Sequence, residues 1–280
     1  MIVKNGHSQP IRAARYTPDA LGVELLTFAE LRQMRAGQRP WELVRADFHV
    51  IAWCESGTGE VTVDFVQHRF GAGEVAWIRP GWTHRWDDVT DADGAVLLFR
   101  PELLRTATAA AQPPGLAGSP IAPITNLAMA AFHHLRQESA AGDDSPAAAP
   151  VMRNLLEVLM LRLAPSSSRA DDSADSLFST FAATVETNFP QHRDLAWYAA
   201  RLGYAPRTLS RAAQAAAGVG AKRFIDDRVV LEAQRLLAHT DDAVARIAQH
   251  VGFDDTANFA KFFRTRSGMT PGRFRESVRA

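Results

Sequence analysis

Between residues 43 and 99 apolar and polar positions alternate in short runs. The stretch 45–53 reads R-A-D-F-H-V-I-A-W, so as a strand it puts His49, Ile51 and Trp53 on one face and Phe48, Val50 and Ala52 on the other. Turn residues at Gly57 and Gly59, at 71–73 (G-A-G) and at Pro80-Gly81 separate further runs at 60–65, 74–78 and 95–99. Short strands at this spacing predict a small antiparallel barrel or sandwich. After Pro101 the apolar period lengthens to three and four residues, which predicts helices over 124–137 and 151–163. From Leu177 onward the pattern is helical, with breaks near Pro190, Gly203, 218–220, 240–242, Gly252 and Gly268. Two Ala/Ser/Asp/Pro-rich stretches, 139–150 and 165–175, are predicted connectors, and the second is the expected domain boundary.

The helical half contains a repeat. Tyr198-Ala-Ala-Arg-Leu-Gly-Tyr204 superposes on Ile247-Ala-Gln-His-Val-Gly-Phe253 at an offset of 49 residues, and beyond the turn the offset becomes 50, pairing Leu209 with Phe259, Arg211 with Lys261 and Gly218 with Gly268. Each copy reads as a short amphipathic helix, a glycine turn followed by an aromatic, and a second helix, which is the form of a helix-turn-helix. Ala199 and Ala248 are small where two helices must cross closely, and Asp194 and Asp242 are candidate N-caps of the first helices. Residues 224–239 form a longer amphipathic helix between the copies, with Ile225, Val229, Ala233, Leu236 and Leu237 as its buried stripe. Successive major-groove faces lie about 34 Å apart, so a rigid connecting helix lets both second helices reach one DNA face.

Those second helices carry polar and small residues where groove contact requires them. Arg207, Ser210 and Arg211 lie opposite Leu209, and Thr256, Ala257 and Lys261 lie opposite Phe259 and Phe263; with Thr208 and Asn258 these are the candidate DNA contacts. Arg and Lys pair with guanine edges, and small side chains meet a thymine methyl. Charge agrees with this placement. The formal net charge is zero, but residues 176–280 hold 15 Lys and Arg against 10 Asp and Glu, while residues 1–175 hold 16 against 21. A basic half suits a polyanion partner, because each phosphate contact releases counterions. A plain helical bundle with an incidental glycine repeat is the competing reading.

The segments Ile247-Ala-Gln-His-Val-Gly-Phe253, Asn258-Phe-Ala-Lys-Phe-Phe-Arg264 and Ser267-Gly-Met-Thr-Pro-Gly-Arg-Phe-Arg275 resemble the signature of AraC/XylS-type transcription regulators. Ala248, Gly252, Phe253, Phe259, Phe263, Arg264, Gly268, Thr270, Pro271, Phe274 and Arg275 all match, and the resemblance extends over about 175–277. It implies sequence-specific recognition of double-stranded promoter DNA by two tandem units of one chain. One departure stands out: late in the first unit's second helix, where the family carries an aromatic and then a basic residue, this chain has Ala213-Gln214. A missing aromatic is expected to weaken the core of that unit.

The stretch Gly73-Glu-Val-Ala-Trp-Ile-Arg-Pro-Gly-Trp-Thr-His84 resembles the cupin-type sensing domain of the same family. Metal-dependent cupins use a His-x-His pair, a glutamate and a further His; here His49 stands alone in its strand, His84 sits at the last position, and no carboxylate is placed beside them. No metal and no cofactor are therefore expected. The resemblance implies a small-molecule effector, for which His49, Trp53, Trp77, Trp82, His84 and Trp86 are the candidate lining. The alternative is that the interior is filled by side chains. Leu155, Leu156, Leu159, Met160 and Leu163 form a broad apolar stripe, suited either to a homodimer through 124–163 or to packing on the chain's own strands.

The expected fold is α+β in two domains. A cupin-like antiparallel β-barrel with trailing helices occupies 1–164 (barrel about 43–100, helices about 121–164), followed by a linker at 165–175 and an all-α domain of two helix-turn-helix units joined by a linker helix at 176–280. The first sixteen residues have no apolar signal region, no run approaches a membrane span, and the single cysteine, Cys54, allows no intrachain disulfide and reads as a buried inert thiol. A cytoplasmic protein without a membrane partner is expected. No phosphate loop, nucleophile elbow or dinucleotide fingerprint is present, so no enzyme is expected. The acidic doublets at 143–144, 171–172, 226–227, 241–242 and 254–255 read as solvated surface or caps, and His133-His134 as a poor metal pair. Two other functions stand beside the effector-controlled regulator: a constitutive regulator without ligand, and a metal-dependent cupin enzyme fused to a helical domain.

Overall fold

Strand pairing in the N-terminal half sorts alternating residues into two separate cores. The computed structural model describes residues 13–14, 22–35, 43–104, 119–142, 145–163 and 172–279. The chain divides into two compact units, one holding the strands and the helices up to Leu163, the other the helices from Asp172 onward. The doublet at 143–144, Asp171 and most of the predicted linker lie outside the described residues.

The first unit comprises β1 (Ala13–Ala14), β2 (Val23–Thr27), α1 (Phe28–Arg35), β3 (Val44–Ala46), β4 (His49–Ser56), β5 (Thr58–Val63), β6 (Val66–Gly71), β7 (Glu74–Ile78), β8 (Thr83–Asp88), β9 (Asp93–Phe99), a 3-10 turn (Pro101–Leu103) and β10 (Ile121–Pro123). One sheet has the order β1-β3-β8-β5-β6 and the other β10-β7-β4-β9-β2. The expected barrel is thus realised as two five-stranded sheets. All described pairs are antiparallel except β1 with β3. The run 45–53, expected as one strand, is split: β3 joins the first sheet and β4 the second, with Asp47 and Phe48 as the bend between them.

Between the sheets lies an inner core of Phe28, Phe48, Val50, Ala52, Val61, Val63, Phe70, Ile78, Trp86 and Val96. The opposite face of the second sheet presents Ile51, Trp53, Val75, Trp77, Leu97 and Phe99 to two helices, α2 (Asn126–Ala141) and α3 (Ala148–Leu163), which contribute Phe132, Leu135, Met152, Leu156, Leu159 and Met160. The strands of this sheet are therefore apolar on both faces, as covered strands must be. Thr125 caps α2 by accepting from the Ala128 amide at 3.2 Å. Both helices invade the predicted connector 139–150, because its alanines favour helix and Pro150 falls in the first turn of α3, where no intrahelical N–H is needed.

The second unit is α4 (Asp172–Asn188), α5 (Leu195–Leu202), α6 (Pro206–Ala217), α7 (Ala221–His239), α8 (Val244–His250), α9 (Thr256–Ser267) and α10 (Pro271–Arg279). Helix α4 begins inside the predicted linker 165–175 and five residues before the expected helical start at Leu177. Of the predicted stripe of α7, Ile225, Val229, Ala233 and Leu237 are buried and Leu236 half-buried, while Asp226, Arg228, Glu232 and Arg235 are buried as well. Arg228 donates to both carboxylate oxygens of Glu186 on α4 at 2.6 Å and to Glu232 at 3.2 Å. Asp226 is ion-paired with Lys222 and with Arg266 of α9, so this member of the doublet is structural rather than solvated.

Candidate DNA interface and sensing site

Helices α5 and α6 form the first helix-turn-helix and α8 and α9 the second, and their turns are built alike. The Tyr204 amide donates to the Ala199 carbonyl at 3.0 Å, and the Phe253 amide donates to the Ala248 carbonyl at 2.8 Å. Gly203 and Gly252 sit in these turns at φ 73° and 83°. The second helices end alike too: the amides of Gly218 and Gly268 donate to Gln214 and Arg264 at 3.1 and 3.0 Å. Tyr198, Ala199, Ile247 and Ala248 are buried at the crossings.

The caps differ between copies. Asp194 accepts from the Ala196 amide at 3.2 Å and caps α5 as expected. Asp242 does not cap α8; Ala243 holds that position, and the Asp242 carboxylate instead meets Arg246 at 3.4 Å. The offset of 49 explains this, since it carries Asp194 onto Ala243 rather than Asp242. Asp255 caps α9, accepting from the amides of Ala257 and Asn258 at 2.5 and 3.0 Å. Helix α6 starts with Pro206 at its first position, where a missing N–H costs nothing.

On α6, Arg207 and Arg211 are exposed and Thr208 and Ser210 half-buried, on the side away from the buried Leu209. On α9, Thr256, Ala257, Asn258 and Lys261 are all exposed, away from the buried Phe259 and Phe263. The exposed Arg264 extends the same helix, whereas its counterpart Gln214 turns back to donate to the Gly218 carbonyl at 2.9 Å.

Ala213 is fully buried, and Phe181 from α4 stands 5.6 Å from Phe224 and 5.8 Å from Tyr198. In the second unit Phe263 holds the matching place, 5.7 Å from Phe274. Phe181 of α4 thus brings an aromatic ring to Phe224, as Phe263 brings one to Phe274 in the second unit. Arg275 and Arg279 were invisible as structural residues in the sequence: from α10 they donate to the carbonyls of Leu237, Ala238, Thr240 and Asp242, closing the C-terminal end of α7. Cations suit that end of a helix dipole.

In the first unit the six candidate sensing residues fall on two faces. Trp86, His84 and Trp82 belong to the inner side, with His84 and Trp86 edge to face at 6.2 Å. His49, Trp53 and Trp77 belong to the opposite face, under α2 and α3. There the Trp77 indole N–H donates to His49 Nδ1 at 3.2 Å, His49 stacks on Phe99 at 4.7 Å, and the Arg79 guanidinium lies 3.9 Å over the Trp77 ring. The Trp53 indole N–H is buried and has no hydrogen-bond partner among the described residues. Cys54 is buried, and burial pushes its thiol pKa up, which agrees with an inert role.

Burial, with the positive charge of Arg79 beside it, holds the His49 pKa at about 3, against 6.5 for an ordinary histidine. The folded chain refuses a proton that the unfolded chain accepts, so the stability His49 contributes is complete above about pH 6.5 and is lost as pH falls towards 3. The loss approaches ~1.4 kcal/mol per pH unit within that window. Replacing His49→Phe is expected to flatten the fall in the thermal midpoint of the first unit between pH 6.5 and 4. An unchanged slope would show that carboxylates alone set the acid sensitivity.

A two-sheet unit followed by tandem helix-turn-helix units defines a two-part DNA-binding regulator. Residues 35–157 match the AraC-like ligand binding domain and residues 198–277 match a helix-turn-helix domain of the AraC type. The chain belongs to the AraC family of DNA-binding transcription regulators. It is 26% identical over 240 residues to the HTH-type transcriptional activator RhaS of Klebsiella pneumoniae (strain 342), covering 82% of this chain and 86% of that protein. It is 24% identical over 245 residues to RhaR of Klebsiella pneumoniae subsp. pneumoniae, covering 82% and 85%. The crystal structure of ToxT from Vibrio cholerae O395 aligns with a TM-score of 0.43 at 11% identity, covering 91% of this chain and 97% of that one. Among the described residues no helix is long and apolar enough to cross a membrane.

Proposed function

We propose that the protein reads promoter DNA with both α6 and α9 and that a small effector held by the first unit controls this activity. The observation that carries the reading is the repeat itself: two helix-turn-helix units with matching turns, each presenting an exposed basic residue, Arg211 or Lys261, at the same position. Arg207, Thr208, Ser210 and Arg211 contact one major-groove segment, and Thr256, Ala257, Asn258 and Lys261 the next. The curated relatives are named as activators, which supports a promoter-proximal role in the cytoplasm.

Trp82, His84 and Trp86 are the effector-facing group, because they sit at the inner core between the sheets. His49, Trp53 and Trp77 support it from the far side and pass a change to α2 and α3. A thermal-shift screen of small metabolites on the full chain tests this, and a constitutive regulator would show no ligand-dependent shift. Homodimerisation through 124–163 is supported by Leu127, Val151, Val158 and Leu161, large apolar residues exposed on α2 and α3; sedimentation of the full chain tests it.

Selection of binding sites from random DNA, followed by Lys261→Ala, tests the DNA reading. The substitution is expected to cost about 1–3 kcal/mol and to relax preference at one base pair. Equal weakening on every sequence would reduce Lys261 to a phosphate contact. Arg211→Ala is expected to act likewise on the other half-site, and unchanged binding there would leave the first unit without a reading role.

A further inference from the structure

We propose that Arg193 is a positioning residue that sets the separation of the two recognition helices, by latching the turn of the second unit onto the loop before the first. This rests on both helices reading DNA. The Arg193 guanidinium lies 3.6 Å from the centroid of the Phe253 ring. Beside it, a Cβ placed on Gly252 would stand 2.3 Å from the Pro190 carbonyl oxygen, so the turn is pressed against the loop backbone.

The first unit shows that this contact is no part of the motif. Gly203 has the same left-handed backbone, yet nothing lies within 4 Å of a Cβ placed there, and the following Tyr204 is 48% exposed where Phe253 is 7% exposed. The close approach is a property of how the two units meet.

The loop that receives the turn is itself fixed. The Tyr198 hydroxyl donates to the His192 carbonyl at 2.8 Å, the His192 ring stacks on Trp197 at 3.8 Å, and Asp194 caps α5. A turn held to this loop is held to α5, and through α5 to α6. Helix α7 packs against both units, and a small bend along it would shift α9 relative to α6. The latch removes that freedom at a second point, while the Arg266–Asp226 pair ties α9 to the start of α7.

The test uses the full chain and sites selected from random DNA. The wild type is expected to return two half-sites at one spacing and to lose affinity when one base pair is inserted between them. In Arg193→Gln that spacing discrimination is expected to shrink by roughly 3- to 30-fold, the range of a cation–π contact. Affinity for each half-site alone should hold, and Arg193→Lys should restore part of the discrimination. Uniform weakening at all spacings, as from a lost phosphate contact, would overturn the proposal, as would no change. Spin labels on Ala215→Cys and Thr265→Cys provide a measurement without DNA. A single narrow distance that broadens in Arg193→Gln supports the latch, and a broad wild-type distribution overturns it. A wild-type selection returning one half-site would count against the two-helix reading, while the label distances would still decide the latch.

Discussion

Replacing Arg228 with alanine is expected to destabilise the DNA-binding unit by about 3–5 kcal/mol, the loss seen when one partner of a buried ion pair is removed. The guanidinium is buried, makes a two-pronged bond to Glu186 at 2.6 Å, reaches Glu232 at 3.2 Å and stacks 4.1 Å over Phe189. Burial alone would lower its pKa, but the two glutamates outweigh that and raise it. After truncation Glu186 can rehydrate, since its side chain is 37% exposed, while Glu232 at 8% cannot. A double variant, Arg228→Met with Glu232→Leu, is expected to be no milder, because Glu232 also pairs with the buried Arg235 at 3.5 Å and its removal takes that contact away. Arg228→Lys should not rescue, because an ammonium cannot make the forked contact to Glu186. Urea denaturation of the full chain, followed through the transition of the helical unit, measures all three. Equal stability of Arg228→Ala and wild type would mean that α4 is held to α7 by apolar packing alone.

The second large effect concerns Phe181. Its truncation to alanine is expected to cost about 3–5 kcal/mol, the usual range for a buried phenylalanine. The buried ring lies 5.6 Å from Phe224, as the Phe263 ring lies 5.7 Å from Phe274 in the other unit. Ala213→Phe alone should overpack the same site and cost about 1–3 kcal/mol. In the Phe181→Ala background it should instead recover part of the loss, because the two rings compete for one space. Additive losses in the double variant would show that residues 181 and 213 do not share that space. Thermal or denaturant midpoints of the four proteins complete the cycle.

The repeat explains why so much of the helical half was legible. Glycine followed by an aromatic, with small residues at the crossing and a fixed 49–50-residue offset, is a local pattern, and local hydrogen bonds realise it in both turns. The exposed faces of α6 and α9 followed from the same periodicity. The strands were legible as strands because alternation is local as well. Their assignment to sheets was not: the run 45–53 is one alternating stretch, yet its two ends belong to different sheets. Nor did alternation reveal that both faces of β4 are covered, which divides the six candidate sensing residues between two cores.

Longer-range replacements were harder still. Ala213 read as a gap because the aromatic that meets Phe224 in this unit, Phe181, lies on another helix, 32 positions before Ala213. Asp226 read as surface charge because one of its partners, Arg266, lies 40 residues away.

The order of hydrophobic and polar residues settles the element types, the tandem helix-turn-helix units and the faces offered to DNA, since each depends on contacts within a few residues. Tertiary packing alone decided which charges are structural, which helix brings an aromatic to Phe224, and how the second unit's turn meets the loop before the first. Those outcomes depend on close approach between segments far apart in the chain, which periodicity within one segment cannot encode.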